Sequence, residues 1–141
     1  MPMSKIYMRK GSSAEHKRAI SDAIHMSLVE VLGIPDDDKF HFFHEFDVDS
    51  MIAPNEAFGL PRRPDKMVCL QLYFGPRPHE TIATLFQTLV GNLVQRTSLT
   101  REDILINVIE SPSPNWWAAG RELDPNTGFD VRIAADKIPK S

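Results

Sequence analysis

The sequence predicts an α+β fold in which two tandem β-α-β units form one four-stranded sheet with both helices on the same face. Three observations predict it. Two amphipathic segments carry apolar residues at helical spacing, the first at Ile20, Ala23, Ile24, Leu28, Val31 and Leu32 and the second at Ile82, Leu85, Phe86, Leu89, Val90, Leu93 and Val94. A gapless repeat relates them: Glu15 matches Glu80, Ile20 matches Leu85, Ile24 matches Leu89, Leu28 matches Leu93, Ile34 matches Leu99 and Asp38 matches Asp103, each pair 65 positions apart. An apolar run also precedes and follows each helix, as a repeated strand would.

In chain order, the first strand is expected at 3–8. The first helix follows Gly11, with Ser12 and Glu15 as its S-x-x-E capping box, and stops at Gly33. A strand at 40–48 closes the first unit, which spans about 2–48. The connection from 49 to 66 holds Pro54, Gly59, Pro61 and Pro64, too many breakers for a helix, and suits a short hairpin or ordered loop. The second unit, about 67–109, consists of a strand at 67–74, a helix whose start is marked by Pro78 and Glu80, and a strand at 104–109. A C-terminal aromatic segment follows, then a short strand expected at 129–134, with 137–141 frayed. Right-handed β-α-β crossovers put the strands of each unit side by side and the helices on one face. The strand at 67–74 is apolar on both sides, so its second face needs cover and the chain is expected to form a small symmetric oligomer.

The 141 residues are long enough for one domain with a sizeable core. At 42% hydrophobic and 25% charged, with a net charge of −3, the composition is that of an ordinary globular protein and gives no basic patch for nucleic acid. One cysteine, Cys69, forms no intramolecular disulfide, and no apolar run is long enough to span a bilayer. The N-terminal residues lack the apolar region of a signal peptide, which makes a cytoplasmic location the expectation.

Proline directly after the initiator methionine, joined to a tandem β-α-β pattern, resembles the tautomerase superfamily. The residues are most similar to its malonate semialdehyde decarboxylase-like branch. The resemblance runs from about Pro2 to Arg121 and rests on Pro2, on the stretch from Val31 to Phe40 (VLGIPDDDKF), on His44-Glu45, on Gly75-Pro76-Arg77 and on Asn115-Trp116. It implies that a free N-terminal Pro2 is the catalytic residue. It also assigns a catalytic aspartate to Asp38, a catalytic and carboxylate-binding arginine to Arg77, and a substrate-facing tryptophan to Trp116. The family's other arginine falls on Gly75, and the phenylalanine usual after the tryptophan is missing. The implied activity is keto-enol proton transfer on a small oxo acid by a homotrimer without a cofactor. Decarboxylation or hydration by a protonated Pro2 is the alternative, and a noncatalytic binding or assembly module of the same fold is the second.

Elementary chemistry bears on each residue. Removal of Met1 would expose a secondary amine at Pro2; an α-amino group has a reference pKa of about 7.7–8.0, so modest changes in surroundings make it a base or an acid near neutrality. Asp38 either exchanges a proton opposite Pro2 or, like Asp103, organises the turn into a strand. Arg77 sits just ahead of the second helix, where a cation opposes the helix dipole unless an anion joins it; a surface ion pair is the other use. Trp116 and Trp117 point opposite ways if the segment is extended, with Trp116 assigned to the pocket. Phe58, Arg62 and Arg63 lie in the connection, either reaching a neighbouring site or standing in solvent. His41 and His44 face opposite sides of a strand and cannot chelate one metal, so no metal site is expected. His44 is expected on a packed or interface face, and Cys69 in a buried strand without a base to activate it.

Overall fold

A computed structural model describes residues 2–132. Strand β1 (Met3–Arg9) leads into helix α1 (Ala14–Leu32), and β2 (His41–Phe46) completes the first unit. A two-stranded hairpin, β3 (Glu56–Ala57) with β4 (Leu60–Pro61), occupies the connection. The second unit is β5 (Val68–Phe74), α2 (His79–Arg96) and β6 (Ile104–Glu110), followed by the small hairpin of β7 (Trp117–Ala118) and β8 (Arg121–Glu122). The main sheet has the order β2-β1-β5-β6; each unit is internally parallel, and the units meet antiparallel through β1 and β5. This is the predicted duplicated architecture.

The repeat is visible as packing. Ile20, Ile24 and Leu28 of α1 and their counterparts Leu85, Leu89 and Leu93 of α2 are all buried, as are Ile34 and Leu99 at equivalent turns. They cover Ile6, Met8, Val68, Leu70, Leu72 and Phe74, the alternate residues of the two central strands that face the helices. At the helix–helix contact Asn92 donates through Nδ2 to Ser27 Oγ at 2.9 Å, and Ser27 donates to the Ala23 carbonyl at 2.7 Å. Ser27 and Asn92 are themselves 65 positions apart, so the bond lies where the two halves meet.

Several expectations are corrected. The cap of α1 is Ser13, not Ser12: Ser13 has extended backbone and its Oγ accepts the His16 N–H at 3.0 Å, so the helix starts one residue later than the capping-box pattern predicts. Gly33 ends α1 in the left-handed region at φ 67°. The expected strand at 129–134 is absent from its described part, residues 129–132. There Asp130 accepts the backbone N–H of Arg132 and bends the chain into a turn. Residues 133–134 and the segment 137–141 lie outside the described residues. The second face of β5 is half-buried rather than buried within one chain, at Cys69, Gln71 and Tyr73. Among the described residues no helix is long and apolar enough to cross a membrane.

Candidate active site

Strand order decides what surrounds the N-terminus. The β1–β5 register pairs Met3 with Tyr73, which sets Pro2 one step further along, toward Phe74. On the other side Ser4 pairs with His41 and its N–H donates to the Phe40 carbonyl at 2.9 Å, so Pro2 also lies at the level of the turn carrying Asp38. Pro2 is buried, in phase with Ser4, Ile6 and Met8 on the helix-facing side.

Arg77 follows the end of β5. Its guanidinium carbon lies 5.9 Å from the Phe74 ring centroid, and Nη1 donates to the Gly75 and Pro76 carbonyls at 3.0 Å each. A Cβ built at Gly75 would stand 3.4 Å from that Nη1, in ordinary contact with the folded-back guanidinium. Burial lowers the Arg77 pKa, and the described residues give it no carboxylate partner within ion-pair distance. Nη2 and Nε remain for a ligand. Trp116 is tied to the same end: its indole N–H donates to the Ser111 carbonyl at 2.8 Å, and Ser111 N–H donates to the Phe74 carbonyl at 2.8 Å. Trp116 is half-buried, whereas Trp117 is 72% exposed. Pro2, Arg77 and Trp116 thus converge on the last residues of β5.

Asp38 approaches from the β2 side. It lines a cavity of about 220 Å³ with Pro35, Phe40, Leu123 and Phe129, between the turn before β2 and the C-terminal segment. Its Oδ1 is buried with no hydrogen-bond partner among the described residues. Burial raises its carboxyl pKa; Asp37 raises it further and His25 lowers it.

Asp103 supplies the comparison. In the second unit the equivalent aspartate is 2% exposed, accepts the Thr100 N–H at 2.8 Å and holds the Arg63 guanidinium through both oxygens. Burial would raise its carboxyl, but the Arg63 and Thr100 hydrogen bonds outweigh this and hold it below the ordinary range. Arg62 binds the Glu102 carbonyl at 2.6 Å. The two arginines therefore pin the connection to the second unit, while Arg63 itself stays exposed to solvent. Phe58 is 95% exposed.

His41 and His44 do fall on opposite faces. His41 faces α1, bonded to Ser21 Oγ at 2.7 Å, and burial pushes its pKa down to about 4. His44 stacks on Tyr7 at 4.8 Å on the uncovered face of the sheet. The Cys69 thiol is half-buried, and burial raises its pKa, opposite to what a thiolate nucleophile needs. Sequence reading passed over His25, which reaches from α1 to the turn bearing Asp38; the signal was its place four residues after Ser21, on the α1 face turned toward β2.

Two family models described as tautomerase enzyme match the chain, one over residues 38–117 and one over 2–60. The probable tautomerase YrdN of Bacillus subtilis (strain 168) is 22% identical over 116 residues, covering 82% of this chain and 89% of its own. Among solved structures, a malonate semialdehyde decarboxylase superposes with a TM-score of 0.77 at 20% identity, covering 83% of this chain and 90% of that one. The FG41 malonate semialdehyde decarboxylase inhibited by 3-bromopropiolate gives a TM-score of 0.75 at 29% identity, with 83% and 88% covered. A fused 4-OT, a symmetric trimer, gives 0.69 at 17% identity, with 88% and 96% covered. The chain belongs to the tautomerase enzyme family, and among solved structures of that fold it resembles the malonate semialdehyde decarboxylases.

Proposed function

We propose that this chain, acting as one domain within a homotrimer, is a cofactor-independent tautomerase that moves a proton between oxygen and carbon of a small oxo acid. The observation that carries the reading is the unequal treatment of two repeat-equivalent aspartates: Asp103 is neutralised by Arg63, while Asp38 keeps a buried oxygen without a hydrogen-bond partner among the described residues. The group left to face Asp38 is then the chain's own amine. Once Met1 is removed, the Pro2 nitrogen is a secondary amine at the start of β1, whose register sets it between the turn bearing Asp38 and the strand end before Arg77.

In this reading the Arg77 guanidinium holds the substrate carboxylate and Trp116 closes the pocket. Neutral Pro2 takes the enol hydroxyl proton, and a proton is delivered to the neighbouring carbon as the C=C electron pair accepts it and the carbonyl forms. Nothing is oxidised and no group leaves. Asp38 orients the exchange from the opposite side. Positioned acid-base groups of this kind contribute about 10²- to 10⁴-fold.

A second reading, decarboxylation or hydration of a 3-oxo acid by protonated Pro2, is favoured by the 29% identity to a malonate semialdehyde decarboxylase. The Pro2 pKa measured by NMR titration separates the two: a neutral amine at pH 7 supports the tautomerase, and a cationic one the lyase.

A further inference from the structure

Three side-chain atoms are buried without a hydrogen-bond partner among the described residues: Ser4 Oγ, His25 Nδ1 and Asp38 Oδ1. They belong to elements that meet where β1 and β2 begin. Ser4 is beside His41 in the β1–β2 register; His25 projects from α1, 6.3 Å from the His41 ring and edge-on to it. The other ring nitrogen of His25, Nε2, lies 2.8 Å from the Asp36 carbonyl. A carbonyl only accepts, so Nε2 carries the hydrogen and, in the neutral ring, Nδ1 carries the lone pair. Asp36 belongs to a tight turn closed by the Asp38 N–H donating to the Pro35 carbonyl at 3.1 Å. Fixing Asp36 therefore fixes the backbone that presents Asp38.

We propose that His25 is a positioning residue for the site: Nε2–H pins the Pro35–Asp38 turn to α1, and Nδ1 completes the polar surroundings that orient the Asp38 carboxyl toward Pro2. The inference rests on the role given to Asp38 above. The neighbouring groups are already committed. His41 is bonded to Ser21, and Lys39 pairs with Asp22 at 2.9 Å on the outer side. Among the described residues His25 alone bridges α1 and the 35–38 turn by a side-chain hydrogen bond. A displaced catalytic group loses rate steeply with small shifts, up to about 100-fold for 1 Å.

The test is a double-mutant cycle on the Met1-processed protein, with kcat and KM measured on an arylpyruvate enol for Asp38→Asn, His25→Leu, His25→Gln and the His25→Leu/Asp38→Asn pair. His25→Leu should lower kcat about 10-fold with KM unchanged, because Arg77 is untouched. His25→Gln, whose amide nitrogen reaches the Asp36 carbonyl, should recover most of that loss. The pair should be no slower than Asp38→Asn alone, since His25 acts through Asp38. Wild-type kcat in His25→Leu, or losses that multiply in the pair, would overturn the inference while leaving Asp38 in place. Wild-type kcat in Asp38→Asn would instead remove the reading on which it rests. Should no enol be turned over, amide hydrogen exchange at the Asp38 N–H decides: His25→Leu must speed it and His25→Gln must leave it near the parent rate, and an unchanged rate in His25→Leu overturns the proposal.

Discussion

Asp38 and Asp103 occupy the same place in two halves of one repeat, yet their surroundings push their protons in opposite directions. The raised Asp38 carboxyl binds a proton more readily folded than unfolded, so folding loses stability as pH rises from the ordinary value of 3.8 toward the raised one. Asp38→Asn is therefore expected to melt higher than the parent at pH 7, by a few degrees, with the gain fading below pH 4. Asp103 is lowered, so its contribution is present above 3.8 and lost as pH falls. Asp103→Asn is expected to melt lower at pH 7, on the order of 5 °C, because Arg63 and the Thr100 N–H lose a charged acceptor. Thermal melts of both variants across pH 3–8 check the opposite signs. The aspartate pair was legible in the sequence because no gap interrupts the repeat. Which aspartate is answered by a cation was not, because Arg63 arrives from the connection, 40 positions before Asp103.

Among the elements, pattern reading identified both helices from their periodicity and the four main strands from the apolar runs that flank each helix in the repeat. Its errors came where hydrogen bonding outranks periodicity. Ser12 and Ser13 are adjacent, and only backbone geometry selects Ser13 as the cap. Phe129 is buried, but Asp130 turns the chain immediately after it. The helix–helix contact carries its own expectation. Leu89→Ala, at a wholly buried position, should cost about 2–5 kcal/mol in urea unfolding. Ser27→Ala should cost about 1–3 kcal/mol, since it strands the Asn92 amide at a half-buried contact. A Ser27→Ala variant as stable as the parent would show that the bond between the two halves contributes nothing.

For the whole molecule, helices cover one face of the sheet, and among the described residues no helix covers the other. Phe42 is 48% and Leu105 56% exposed there, beside the stacked Tyr7, His44 and Phe46 rings. The hairpin region adds Ile52 and Phe58 at 90% and 95% exposure. Apolar surface of this kind marks an interaction site, and the fused 4-OT of the same fold is a trimer. Sedimentation equilibrium should give three times the 16.0 kDa chain mass, and Phe42→Asp should lower it. The expectation of a partner came from β5, apolar on both sides; which apolar residues the uncovered face exposes, Phe42 and Leu105 among them, emerged only with the strand order.

Transfer of the proton by the Pro2 nitrogen is the step on which the proposed function turns. Its most direct test is the ketonisation of an arylpyruvate enol, followed by ultraviolet absorbance, with Met1-processed protein and its Pro2→Ala variant compared side by side. A rate above buffer that falls about 100-fold in the variant is the predicted result. Equal rates in the two proteins, or none above buffer in either, would contradict it.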